Sequence, residues 1–201
     1  MKWELFTKLA DELKDSEAIH LFNRGEPFTH PRIYDMIDYV QANGTKVILA
    51  SNALLIDEKK LYNHFKNGLL VISCHAGNKE TYKKITGKDG YYKVIKKAKY
   101  LEDNAPERVD FRIKFVKQDL NKGQEDELIK LFKRVDVVED SNQENPLGYV
   151  DCTQPDVCPT WDFKGNKKVC CRDEFSEHDY QTYYEQAKLR QLNICKRCAI
   201  H

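Results

Sequence analysis

Short apolar runs alternate with amphipathic helical stretches along the first 140 residues, and that alternation restricts the chain to very few folds. Trp3, Phe6, Leu9 and Leu13 lie on one stripe of a helix over residues 2–14. The apolar run Ala18–Asn23 predicts a first strand, followed by the turn Arg24-Gly25-Glu26-Pro27. A helix then opens with Pro31 in its first turn, turns Ile33, Met36, Ile37 and Val40 inward, and stops at Asn43-Gly44. Further strands are predicted at Lys46–Ser51, Leu69–Cys74, Val109–Val116 and Val135–Val138. The helices between them cover residues 57–67, 79–85, 91–102 and 124–134. Strands this apolar, each separated by helix, belong in parallel βαβ units.

The run from Val109 to Val116 differs from the others, because Val109, Phe111, Ile113 and Phe115 alternate with Asp110, Arg112 and Lys114. One face of that strand packs on helices and the other carries charge. Buried between two layers, those charges would be costly. They are accommodated either in the polar lumen of a barrel or half-barrel, facing a charged ligand, or on an edge strand facing water.

Charged residues form 32% of the chain yet leave a net charge of +1, which provides no general field for nucleic acid or an anionic membrane. The lysines at 83, 84, 88, 93, 96, 97 and 99 form a local basic stretch, and Ile85, Val94, Ile95 and Ala98 beside them make it the solvated face of a helix. No apolar run approaches the roughly 20 residues of a membrane-spanning helix. The opening Met1-Lys2-Trp3-Glu4-Leu5-Phe6 is acidic and amphipathic, unlike a signal peptide, so a cytoplasmic protein is expected.

After the polar, turn-rich stretch 140–148 the texture changes, dividing the chain into domains 1–140 and 141–201. Six of the seven cysteines fall in the second: Cys152, Cys158, Cys170, Cys171, Cys195 and Cys198. A hairpin over Trp161–Lys168 and a helix near 178–192 supply too little apolar surface for an independent core, so a staple is required. In a reducing compartment metal is favoured over disulfides. Zinc and an iron–sulfur cluster both remain open, although only one short C-x-x-C knuckle is present.

The spacing Cys152-x12-Gly165-x4-Cys170, followed by Cys195-x-x-Cys198, resembles the SPASM-type auxiliary domain of radical S-adenosylmethionine (SAM) enzymes. That resemblance implies that Cys152, Cys170, Cys195 and Cys198 hold a [4Fe–4S] cluster, leaving Cys158 and Cys171 outside the ligand set. Gly25-Glu26-Pro27 resembles the same family's GGE element, whose backbone and Glu approach the SAM amino group. Leu49-Ala50-Ser51-Asn52-Ala53 is similar to its TNG strand end, and Val71–Gly77 to its iSldg strand. The fold implied is α/β, a partial (β/α) barrel of parallel strands with its first strand missing, followed by the small cysteine-rich domain. The SAM-binding residues implied are Gly25, Glu26, Pro27, Asn52 and Ser73, with Arg112 or Lys114 for the SAM carboxylate.

The family's catalytic C-x3-C-x2-C loop does not occur among these 201 residues, and the resemblance would set it ahead of Met1. A complete enzyme of this kind would cleave SAM to a 5′-deoxyadenosyl radical and modify a substrate, often a peptide or protein. The isolated chain is expected to be inactive in that chemistry. Two alternatives accompany this expectation: a non-catalytic cluster-binding partner, and a zinc-stapled interaction module. An exposed sheet edge open to association is also expected.

Overall fold

The computed structural model describes residues 1–22, 25–138, 160–161, 164 and 167–168. The chain divides into two compact units, Thr7–Glu139 and one that joins Met1–Phe6 to Asp140–His201.

The larger unit is built on five strands, β1 (Ala18–His20), β2 (Lys46–Ser51), β3 (Gly68–Ser73), β4 (Val109–Val116) and β5 (Val135–Val138). All are parallel, and their order in the sheet is their order in the chain. The helices are α1 (Trp3–Glu12), α2 (Ile33–Ala42), α3 (Glu58–His64), α4 (Lys79–Thr86), α5 (Tyr91–Asp103) and α6 (Glu125–Leu131). Parallel crossovers are right-handed in nearly all proteins, so a strand order that never reverses puts the crossover helices on a single face. That is the winding of a (β/α) barrel left open, and not of a doubly wound sheet.

Burial follows from this winding. Val47, Leu49, Leu70, Ile72, Phe111, Ile113 and Phe115 point to the helices and are buried. Their alternates Ile48, Ala50, Leu69, Val71, Asp110 and Arg112 are only half-buried. Ile37, Val40, Leu61, Phe65, Leu101 and Leu128 complete the core from the helical side. Since β4 lies between β3 and β5, its charged side belongs to the open face of the sheet, and the edge-strand alternative is removed.

Local chemistry sets the helix ends. Ile33, Met36, Ile37 and Val40 recur at helical spacing along α2 and all four are buried. Gly44, at φ +81°, turns the chain out of α2 toward β2. Asp57 accepts from the backbone of Lys59 and Lys60 to open α3, and Asn78 accepts from Thr81 to open α4. The lysines at 83, 84, 88, 93 and 96 are exposed, while Lys97 and Lys99 pair with Glu58 and Glu102. The basic stretch is a solvated helix face.

In the second unit, β6 (Thr160–Trp161) pairs antiparallel with β7 (Lys167–Lys168), in the segment expected to form a hairpin. Among the described residues, no helix is long and apolar enough to cross a membrane.

Candidate functional site

Parallel strands wound in one direction bring their C-terminal ends, and the loops that follow them, to the same rim. The turn after β1 carries Gly25, Glu26 and Pro27 to that rim. Gly25 sits at φ +82°, where a side chain would be strained, and among the described residues nothing lies within 4 Å of the position its Cβ would occupy. Pro27 begins a short 3-10 turn over Pro27–Thr29, for which Glu26 is the N-cap.

The Glu26 carboxylate faces inward, to the end of β2. Its Oε1 accepts the Ser51 hydroxyl at 2.7 Å and the Phe28 amide at 3.3 Å, and its Oε2 accepts the Asn52 amide at 2.8 Å. Ser51 Oγ in turn accepts the Ala53 amide at 3.0 Å. Ala53 is the one non-glycine residue with positive φ, +62°, among the described residues, and it is completely buried. Asn52 Oδ1 accepts the Leu54 amide at 2.9 Å, which fixes the orientation of its carboxamide. The β1 and β2 ends are thus one hydrogen-bonded unit.

Ser73 closes β3 and lies in register with Lys114 of β4. Lys114 is exposed and makes no ion pair among the described residues. Arg112, one step back on the same face, is already engaged. Its Nε and Nη2 donate to Asp110 Oδ2 at 2.9 and 2.6 Å, and Nη1 reaches Asp136 Oδ2 at 3.4 Å. Arg134 approaches Asp110 from the other side at 2.6 Å. Of the two cations considered for an anionic ligand, Lys114 is the one with a charge to offer.

Two side chains that the sequence did not single out shape the rim beyond β3 and β4. Asn121, completely buried, donates to the carbonyls of His75 and Val116 at 2.9 and 2.8 Å and accepts the Gln118 amide at 2.7 Å. Gln124 accepts from the Gly77 amide at 3.1 Å and donates to Thr81 Oγ1 at 2.9 Å, joining this loop to α4. Their stretch, Gln118-Asp119-Leu120-Asn121-Lys122-Gly123-Gln124, reads simply as a polar loop. His75 Nδ1 accepts the Val116 amide at 3.1 Å, so the neutral ring carries its proton on Nε2. Burial, with a smaller contribution from Lys114, lowers the His75 pKa.

Cys74 is buried against the helices, and burial pushes its thiol up to about 11. Cys152, Cys158, Cys170, Cys171, Cys195 and Cys198 lie outside the described residues. Among the described residues no three His, Cys, Asp or Glu side chains gather in a metal-binding arrangement.

No protein-family model and no curated protein sequence matches the chain. Solved structures of radical SAM proteins do match it. SuiB from Streptococcus suis, solved bound to S-adenosylmethionine, aligns at 20% identity over 68% of this chain and 33% of its own, with a TM-score of 0.56. The fold is shared. BtrN in an open conformation aligns at 12% identity over 100% of this chain and 80% of its own, with a TM-score of 0.54. TYW1 with a lysine–pyruvate adduct bound aligns at 17% identity over 68% and 49%, with a TM-score of 0.50. The chain therefore spans about half the length of TYW1 and a third of SuiB.

Proposed function

We propose that the chain is part of a radical SAM protein whose open sheet face binds SAM and whose C-terminal cysteines hold an auxiliary [4Fe–4S] cluster. The observation that carries this reading is the bonding of Gly25-Glu26-Pro27 to the end of β2 at the strand C-termini of a sequentially wound parallel sheet. The residues present fit the group. The open space beside Gly25 admits close approach to the backbone, and Asn52 and Ser73 end neighbouring strands at the same rim. Lys114, unlike Arg112, has a charge free for the SAM carboxylate.

When bound together, SAM and a reducing cluster supply a 5′-deoxyadenosyl radical for hydrogen abstraction. The role of the described residues is to bind and orient. The Gly25 turn offers backbone groups, Asn52 and Ser73 offer polar side chains, and the apolar Ile48, Ala50, Leu69 and Val71 line the open face beside the charged side of β4. Cys152, Cys170, Cys195 and Cys198 are the proposed ligands of the auxiliary cluster, in a domain running over 141–201. A peptide or protein is the proposed substrate, in a cytoplasmic setting; SuiB, which shares the fold, has been solved with its precursor peptide SuiA. Association through the open edge of β1 or β5 is part of the same proposal.

Anaerobic reconstitution with iron and sulfide tests the reading. The expected product is brown, contains iron and sulfide in cluster proportion, and loses both in a chain carrying Cys195→Ala and Cys198→Ala. Colourless protein with stoichiometric zinc would show a zinc-stapled module instead.

A further inference from the structure

Resting on the proposal that SAM binds this rim, we infer that Ser51 is a positioning residue, which sets the Gly25 and Asn52 turns as one unit for the cofactor through Glu26. Ser51 is 3% exposed, so it has no surface to offer a ligand and can act only through what it touches. What it touches is specific. Its hydroxyl hydrogen is committed to Glu26 Oε1 at 2.7 Å, and its oxygen receives the Ala53 amide at 3.0 Å. One hydroxyl thereby joins the loop after β1 to the loop after β2.

Gly25, at φ +82° in the loop after β1, takes a conformation glycine enters freely, whereas the loop after β2 is held in an unusual one: Ala53 is at φ +62°, a region in which alanine is disfavoured. Such a conformation persists only where its surroundings over-determine it, and it is found disproportionately at ligand sites. The Ser51 bond to the Ala53 amide, with the Glu26 bond to the Asn52 amide, supplies that determination.

The Glu26 carboxylate is correspondingly turned into the protein. Three donors occupy it, from Ser51, Asn52 and Phe28, out of about four acceptor positions that a carboxylate has. It serves the framework and does not reach out to the ammonium group of the cofactor. The two assignments predict different couplings: a framework role makes Glu26 and Ser51 one mechanism, whereas direct contact by Glu26 makes them two.

The test is a titration of the full 15N-labelled chain with S-adenosylmethionine, followed through its amide signals, for the wild type, Ser51→Ala, Ser51→Thr, Glu26→Gln and the double variant Glu26→Gln with Ser51→Ala. The wild type is expected to shift at Gly25, Asn52 and Ala53. Ser51→Ala and Glu26→Gln each weaken affinity by roughly tenfold, the loss of about one hydrogen bond to a charged group. The double variant is no weaker than either single one, and Ser51→Thr, which keeps the hydroxyl, restores binding. Additive losses overturn the inference, as does a Ser51→Ala chain that is less heat-stable but binds with wild-type affinity. Should Ser51→Ala fail to fold, Glu26→Gln and Ser51→Thr decide: wild-type affinity in Glu26→Gln, or weakened affinity in a folded Ser51→Thr, overturns it. A wild type that shows no shift with SAM overturns the cofactor reading and this assignment together, an outcome distinct from wild-type binding that is indifferent to Ser51.

Discussion

The carboxamide of Asn121 donates to the backbone carbonyl of His75 across 2.9 Å, joining the loop after β4 to the loop after β3. A second donation to the Val116 carbonyl, and acceptance from the Gln118 amide, complete its bonding in a fully buried position. Replacing Asn121 by Ala strands three backbone groups away from water. Each such group costs about 1–3 kcal/mol, and they share one cavity, so a loss of about 3 kcal/mol is expected from urea unfolding. Asn121→Asp is expected to be nearly as costly, since it removes both donors.

Gly68 opens β3 at φ +139°, and a Cβ there would lie 1.9 Å from the carbonyl oxygen of Val47. Both atoms belong to paired strands, so neither has room to retreat. Gly68→Ala is expected to cost about 4 kcal/mol or more, a large part of the roughly 5–15 kcal/mol that holds a domain together. Circular dichroism should show a chain that is unfolded, or one melting far below the wild type.

Stability is expected to fall with acid through His75. Burial lowers its pKa in the folded chain, so between that value and the unfolded value of about 6.5 the unfolded state binds the extra proton. The contribution of the neutral ring is therefore complete above pH 6.5 and is lost as pH drops through the folded pKa. Protonation would also place a hydrogen on Nδ1, facing the Val116 amide. His75→Asn, whose Oδ1 can replace Nδ1 as acceptor, should flatten the unfolding free energy measured against pH. His20, also lowered by burial, contributes a remaining slope of the same sign.

Cys74 should be chemically silent in the native chain. Its thiol is buried and raised to about 11, and it donates to the Ala76 carbonyl at 3.6 Å. Neutral alkylation followed by mass spectrometry is expected to leave it unmodified until denaturant is added. Cys74→Ala should reconstitute with wild-type iron content; loss of iron there would place Cys74 among the ligands.

Alternation and helical spacing revealed most of the framework. Val109–Val116 and Val135–Val138 carry the limits read from the sequence, and the α2 stripe is buried residue for residue. Helix ends were less legible. The stretch expected over 124–134 is helical only over Glu125–Leu131, because Phe132 turns extended and buries its ring, and Lys133 donates its amide to Glu102. Pro31 precedes α2 and does not open it.

The places of the candidate residues were legible in the sequence, but their bonding was not. Gly25, Glu26, Asn52 and Ser73 stand at the expected strand ends, whereas the inward turn of Glu26 depends on Ser51, 25 residues away. The fate of Arg112 had half its cause in plain view, since Asp110 shares its strand face two residues back. The other half is Asp136, which reaches Arg112 only because β5 lies beside β4. Spacing along a chain cannot supply such neighbours.

The strand order has a consequence for how the molecule comes into being. Among the described residues, each strand of this sheet after β1 pairs with the strand made just before it, separated by no more than one βα crossover. No pairing must wait for a distant segment, which keeps the cost of loop closure small at each step. The sheet can grow during synthesis by adding one unit to a finished edge, and Ser51 can meet Glu26 as soon as β2 has emerged. Partial assembly from the N-terminal side would thus yield the Gly25–Asn52 half of the rim before β4 and β5 exist.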